Sequence, residues 1–444
     1  MPQPPAFPAS PAPRPPSGGA FGAFRHRDFR FFWAGLVISN QGLWMQSVAQ
    51  SWLIFQMTHS PLLVGLDGVF KTAPFLIVSL YAGTVVDRVD RRKLLMWTEA
   101  SVGSLAVVLA VLVWSERIEL WHLYLNSFLV SSLGSFENPA RSALLPHLVP
   151  RSDLMTALSL NSNVRKGSQM IGPAIGGLLV ASCGVGWTFF VRGFTSAGLL
   201  YCLKTMRTTN PPHTGPSRSA LHSLQEGFRY VASSPLLASL LVIQAMVSLF
   251  GQYIPMLVVF SERVFNVGAQ GLGFLQAAAG AGAVAGSVFL AGRGDVYHKG
   301  RLQLVGGAVY AASLVAFAWS GSFWLAMVFL AVVGAADVMM GAINQTMLQL
   351  TTRNDMLGRV TSLSAMTQRG LGPLGGFQAG ALTTLMGVQP ATAIGAVVCF
   401  LSVLGAAMFL PAIRTFAGAG PRAALEDGPV GASEEHVAAS RKAG

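Results

Sequence analysis

Gly83-Thr-Val-Val-Asp87-Arg88-Val-Asp90-Arg91-Arg92-Lys93-Leu94 has an echo in Ala291-Gly-Arg-Gly-Asp295-Val-Tyr-His-Lys299-Gly-Arg301-Leu302. In each stretch an acid is followed by one base four residues later and another six later. Each also stands between two long apolar runs, so both read as short charged turns joining helices. Two further stretches recur together. Arg151-Ser-Asp153-Leu with Gly172-Pro173-Ala-Ile-Gly176-Gly177 is matched by Arg353-Asn-Asp355-Met with Gly372-Pro373-Leu-Gly375-Gly376. The offsets are 208, 202 and 200 residues in a chain of 444. A parallel repeat of half the chain, made of apolar helices, places a binding site where the two copies meet.

The solvent around those helices follows from composition. Apolar residues make up 52% of the chain and charged ones 11%, less than half the share of a soluble domain. Such a chain lacks the polar surface to cover a water-facing fold, so its solvent is lipid. Apolar runs long enough for a ~30 Å hydrocarbon core lie near 31–56, 62–86, 94–115, 120–142, 154–182, 186–206, 236–260, 268–291, 302–320, 322–346, 356–386 and 390–411. The fold expected is an all-α membrane protein of twelve transmembrane helices in two six-helix pseudo-repeats. Residues 24–206 form the first bundle and 235–413 the second. The span 207–234 is a linker, and 1–23 and 414–444 are disordered tails. The first sixteen residues hold eight prolines and no apolar core, unlike a cleavable signal peptide. In the linker, Leu221, Leu224, Phe228 and Val231 fall on one helical face, with His222, Gln225, Glu226 and Arg229 on the other. That pattern is an amphipathic helix lying at the membrane surface.

Charge sets the orientation. With both termini cytoplasmic, the tails and the cytoplasmic loops hold 23 of the 30 lysines and arginines, and the opposite loops hold two, Arg117 and Arg263. The positive-inside rule then accounts for the formal charge of +12, and nucleic acid is not needed as a partner. Cys183, Cys202 and Cys399 sit in apolar runs and read as small hydrophobes.

Gly83 to Lys93 resembles the G-x-x-x-D-R-x-x-R-R-K loop between helices 2 and 3 of the major facilitator superfamily. Ser60-Pro61-Leu-Leu-Val-Gly65, Asn138-Pro139-Ala-Arg141-Ser-Ala-Leu-Leu-Pro146 and Leu357-Gly358-Arg359-Val360 resemble its branch of enterobactin-type siderophore exporters and drug:proton antiporters. The resemblance runs from Phe24 to about Ile413. It implies efflux of a small molecule from the cell by alternating access, driven by protons, in the inner or plasma membrane, by a chain acting as a monomer. It also implies a gate. Gly83, Asp87, Arg88, Arg91, Arg92 and Lys93 would close the cytoplasmic side, with Asp87 at the start of helix 11 and Arg91 or Arg92 paired with Glu137. An anion is favoured at a helix N-terminus by roughly 0.3–2 kcal/mol, which unbalances two states of similar energy. Asp87→Asn is therefore expected to leave membrane levels normal and to lower flux, and unchanged flux in that variant would remove Asp87 from the gate.

Charges inside spans are functional candidates by default. Asp337 on helix 10 and Asp67 on helix 2 are the candidates for proton coupling, with Lys71 one turn from Asp67 and able to pair with it. Glu99, one turn into helix 3, is read as interfacial. Asn40, Trp44 and Ser47 share a face of helix 1 with Gln46 and Gln50 beside it, and Gln244 and Gln252 lie on helix 7. Together with Lys71, Arg165, Arg192 and Arg369 they are the candidate lining of a substrate cavity suited to an amphipathic, anionic or polyphenolic cargo; polar faces of this kind also serve interhelical hydrogen bonds. Gly172–Gly176, Gly282–Gly286 and Gly372–Gly376 have the spacing that lets helices approach closely. The sequence has no phosphate loop, metal-spaced ligand cluster or nucleophile elbow. No cofactor, no metal and no enzymatic activity are expected. The competing readings are a proton-coupled uptake permease and a non-transporting membrane sensor.

Overall fold

The structure, a computed structural model, describes residues 19–150, 152–207, 220–293, 298–353 and 355–409. The tail from 414, most of the N-terminal tail, the proline-rich stretch from 208 and Asp295 of the second charged turn lie outside these residues. Twelve long helices follow one another. They are α1 Arg27–Thr58, α2 Pro61–Arg88, α3 Arg91–Trp114, α4 Leu120–Leu144, α5 Leu154–Cys183 and α6 Val185–Thr205 in the first half. The second half has α7 Pro235–Val264, α8 Gly268–Gly292, α9 Lys299–Ala318, α10 Phe323–Thr351, α11 over 357–386 and α12 Val388–Phe409. Seven of the described helices are long and apolar enough to cross a membrane by length and composition alone. Others, such as the 32-residue α1, about 48 Å long at 1.5 Å per residue, have the length but carry polar faces. The outer surface is apolar, with Trp97, Phe194, Trp324 and Leu385 between 73% and 80% exposed. Only lipid can cover a surface of that kind.

The two halves repeat in backbone as well as in sequence. His59 turns α1 into α2 at φ 48°, and Asn266 turns α7 into α8 at φ 53°. Gly184 joins α5 to α6 at φ 88° and Gly387 joins α11 to α12 at φ 89°. A residue with a Cβ is strained at the last two positions, which is why glycine stands at both. In the first charged turn the Asp90 carboxylate caps α3, accepting from the backbone N–H groups of Arg92 and Lys93.

The folded chain begins earlier than the sequence reading placed it. Gly19–Arg25 is a 3₁₀ turn with Ala23 fully buried, and His26 Nε2 lies 3.0 Å from the Asp153 carboxylate at the start of α5. The connecting helix Ala220–Ser233 docks on the second half. Val231 joins the core of Leu237, Leu240, Met347 and Val360, and Glu226 pairs with Arg359 at 2.8 Å. Phe228, expected on the same apolar face as Val231, is 66% exposed, so that face is divided between protein and surroundings.

The cores show how the halves meet. Toward the face that carries the α1–α2 turn, one continuous core contains Ile54, Phe55 and Val64 of the first half with Met256, Phe260 and Leu272 of the second. Toward the face where the chain ends emerge, the halves have separate cores, one around Phe32, Leu144 and Leu203 and the other around Leu240 and Met347.

Candidate functional site

Two helix pairs form the seam between the halves. Along α2 and α11, Gly380 meets Pro61, Gly65 meets Gly376, Gly68 meets Pro373, and the hydroxyl of Thr72 donates to the Gly370 carbonyl at 3.0 Å. Along α5 and α8, a Cβ on Gly273 would stand 2.6 Å from the Pro173 carbonyl oxygen, and one on Gly280 2.5 Å from that of Gln169. Backbones this close exclude any side chain, so Gly65, Gly68 and Gly380 on one flank and Gly177, Gly273 and Gly280 on the other seal one side of the molecule, while Gly172 and Gly176 pack against Trp44 and Met45 of α1, and Gly372 and Gly375 against Gln252 and Leu249 of α7. Beyond Gly370 and Gly280 the seam parts. Gly134, Gly167, Gly341 and Gly358, all nearer the face of the chain ends, have no atom within 4 Å of where a Cβ would stand. The bundle is thus closed toward the α1–α2 turn and open toward the chain ends.

Polar networks border the opening. In the first half, Gln50 Nε2 of α1 donates to Asp67 Oδ1 at 2.8 Å and to Ser127 Oγ at 2.6 Å, and Asn126 Nδ2 donates to Gln50 Oε1 at 3.1 Å. Ser127 also donates to Asp67, and Lys71 closes the ring as an ion pair with the same carboxylate. In the second half, Gln244 Nε2 of α7 donates to the Ser364 carbonyl at 2.8 Å, and its Oε1 accepts from Asn344 Nδ2 and Ser364 Oγ. Gln50 and Gln244 therefore serve interhelical bonding and are buried, and Asn40 is likewise buried with its amide on the Leu36 carbonyl of its own helix. Gln46 is buried at 5% exposure. Ser47 is half-buried, and its carbonyl accepts from Ser51. Gln252 lies where α7 breaks, against Gly372 and Gly375 of α11.

Asp337 stands apart from both networks. It is exposed on α10, and among the described residues it makes no hydrogen bond or ion pair. One turn further along the same face, Gly341 meets open space, and seven residues on Asn344 reaches Gln244. Asp337 therefore faces the interior opening. Arg369 is half-buried in a π-helical turn, Thr367–Leu371, that interrupts α11 beside the Thr72 contact. Such turns free backbone groups and recur at functional sites.

Two sequence expectations are corrected here. Arg192 does not line a cavity and Glu99 is not interfacial. They are 3% and 2% exposed, lie 3.4 Å apart between α3 and α6, and share Ser39 of α1, whose carbonyl accepts from Arg192 at 3.0 Å. A charge at either position has to be matched from within the bundle, and each supplies the match for the other. The pairing of Arg91 or Arg92 with Glu137 is also absent. Arg91 reaches the Ala143 carbonyl and His147, Arg92 reaches the carbonyls of Leu203 and Lys204, and Glu137 pairs with Arg141 one turn along α4. Arg88 and Lys93 are exposed, while the side chains of Gly83, Asp87, Arg165 and Lys166 are outside the described residues.

The sequence reading missed Gln41, Gln169 and Gln276. A small polar gap where the seam parts is lined by Trp44, Gln169, Pro173, Ile254, Gln276 and Ala279, from both halves. Trp44 Nε1, Gln276 Oε1 and the neighbouring Gln41 Oε1 are buried without a hydrogen-bond partner among the described residues. An indole donor beside two amide acceptors, with no charge in the lining, suits a neutral hydroxyl or phenol group better than an isolated anion. On α8, Gln276 shares a run rich in alanine and glycine with Gln270, and no periodicity singles it out.

The sequence profile of a family described as transmembrane secretion effector matches residues 18–428. The enterobactin exporter EntS of Escherichia coli O1:K1 is 28% identical over 412 residues, an alignment covering 90% of this chain and 96% of that protein. In fold, the chain is similar to a bacterial homologue of the human lysosomal transporter Spinster in an inward-facing, unoccupied conformation, with a TM-score of 0.65, 16% identity, and 88% of this chain and 98% of that one covered. A POT family transporter in complex with 5-aminolevulinic acid gives a TM-score of 0.71 at 12% identity, with 90% of this chain and 98% of that one covered.

Proposed function

Because the chain belongs to the transmembrane secretion effector family of the major facilitator superfamily, and so is a multi-pass secondary transporter of small molecules, we propose that it exports an amphipathic molecule of siderophore or drug class by alternating access, in exchange for protons. The observation that carries this reading is the seam, shut by backbone contact on one side and parted on the other around a cavity built from both halves. A repeat interface closed at one end and open at the other is half of an alternating-access cycle. The direction is supported by the likeness to a protein named as an exporter. The distribution of 23 basic residues against two supports cytoplasmic termini in a bacterial inner membrane, which makes the open side the cytoplasmic one.

Within that reading, Asp337 is the proton carrier, since Asp67 is already held by Lys71, Gln50 and Ser127. Trp44, Gln276 and Gln169 receive the cargo's aromatic and hydroxyl groups, and Lys71 and Arg369 offer what positive charge the opening has. Asp87 and its neighbours act in the opposite state, when the cytoplasmic side closes. The chain works as a monomer, each copy enclosing its own path. The test uses purified protein in liposomes loaded with a catecholate siderophore or a cationic dye and given an inwardly directed proton gradient across the face that corresponds to the outside. Efflux that collapses with a protonophore is expected, together with retention of secreted metabolites in cells lacking the protein. If deletion instead abolishes uptake of a labelled compound and leaves internal pools unchanged, the uptake reading replaces this one.

A further inference from the structure

Two hydrogen bonds are described between the halves. One is Thr72 to Gly370 at mid-membrane, and the other is at the closed face, where Arg263 donates to the His59 carbonyl at 2.6 Å. The second has a built geometry. Arg263 stands in a π-helical turn, Phe260–Val264, that ends α7, and its guanidinium lies 5.2 Å over the ring of Phe55, itself fully buried in α1. His59 is left-handed at φ 48° and ends α1, so its carbonyl is not used by the helix ladder and its ring lies edge-on to Phe55 at 6.1 Å. On the other side of Arg263 the chain turns through Asn266 at φ 53° and Gly268 at φ 61°. The contact thus joins the end of α7 to the α1–α2 turn, across 204 residues of chain. By contrast, the α5–α8 flank of the seam is held by glycine-to-backbone approach, with no described hydrogen bond between the halves there.

We propose that Arg263, His59 and Phe55 form a clasp that holds the closed face shut and so sets the balance between the two access states. The inference rests on alternating access as read above. Opening that face has to separate α7 from α1, which breaks one charge-assisted hydrogen bond and one cation–π contact at the same step. Neither contact survives if the two halves rotate apart by even a few ångströms. Both depend on the guanidinium, and Lys would keep the charge but lose the planar fork.

The test reads both faces of the membrane with introduced cysteines, in a background carrying Cys183→Ser because Cys183 is exposed while Cys202 and Cys399 are buried. Ser261→Cys reports the closed face, since Ser261 is fully buried in the same π-helical turn as Arg263, and Gly341→Cys reports the open one, where a side chain meets open space. Labelling by a maleimide in liposomes is compared with and without Arg263→Gln. The expected result is a rise in Ser261→Cys labelling and a fall in Gly341→Cys labelling, the ratio of the two shifting on the order of tenfold for loss of both contacts, with Arg263→Lys between the two. A rise at both positions would mean that the bundle has merely loosened, and equal labelling with and without Arg263 would mean that the contact is incidental. Either overturns the clasp. Failure of alternating access itself looks different: neither reporter then responds to cargo or to a proton gradient in the unmodified protein while transport continues.

Discussion

Asp337→Asn is expected to abolish efflux driven by a proton gradient while leaving cargo binding and passive exchange within about twofold of the parent. Asn matches the carboxylate in size and keeps its hydrogen-bonding reach, so packing on α10 is undisturbed, but it cannot carry a proton across the cycle. The reasoning rests on position. Asp337 is exposed toward the interior, unpaired among the described residues, and one turn from Gly341, which has open space before it. A carboxyl holds one proton in its acid form and none as a carboxylate, and nothing described pins Asp337 in either form, so it is suited to take up a proton in one state and release it in the other. Asp67 is a poor second because its two oxygens are engaged by Lys71, Gln50 and Ser127. The measurement is cargo flux in liposomes with and without a pH gradient, together with binding by tryptophan fluorescence, for which Trp44 is a natural reporter. An Asp337→Asn protein that still drives cargo uphill on protons would move the coupling role to Asp67 or Glu137.

The sequence made the architecture readable because the repeat is written twice, once in the charged turns and once in the Gly-Pro steps, and because a lipid solvent forces nearly every long apolar run into a spanning helix. What it could not supply was which face of each helix looks where. Asn40 and Gln50 on α1 and Gln244 on α7 belong to sensible polar faces, yet such a face reads the same whether it bonds a neighbouring helix or faces a cavity, and all three turn out to bond within the bundles. The same ambiguity misplaced Arg192. Its position in a span marked it as unusual, but only the packing of α1, α3 and α6 brings Glu99 and Ser39 to it from 93 and 153 residues away. The cavity lining was missed for the opposite reason. Gln276 lies in a run of small residues where no periodicity singles it out, and it gains meaning only because Gly280 lets α8 press against Gln169 and the two halves part just beside it.

Removing one partner of the Glu99 and Arg192 pair is expected to be the most destabilising single change in the first half. Both side chains are nearly sealed, at 2% and 4% exposure, and the partner left behind is a charge with no water to solvate it. The loss in such cases is about 3–5 kcal/mol, enough to unfold much of a marginal protein. The two single changes should not be equal. An isolated carboxyl can discharge itself by binding a proton, whereas an isolated guanidinium stays charged at any accessible pH. Glu99→Ala should therefore be worse than Arg192→Met. The double change to Glu99→Leu with Arg192→Met replaces two buried charges by apolar groups and should recover most of the stability, since the desolvation of both ions is then no longer required. Chemical unfolding in detergent, followed by circular dichroism, measures the series. A double variant as unstable as Glu99→Ala would show that the pair does more than neutralise itself. Because Arg192 is shut inside the bundle, Arg192→Met should also leave the ratio of anionic to neutral cargo flux unchanged, whereas neutralising Lys71, whose side chain is 42% exposed, should lower that ratio.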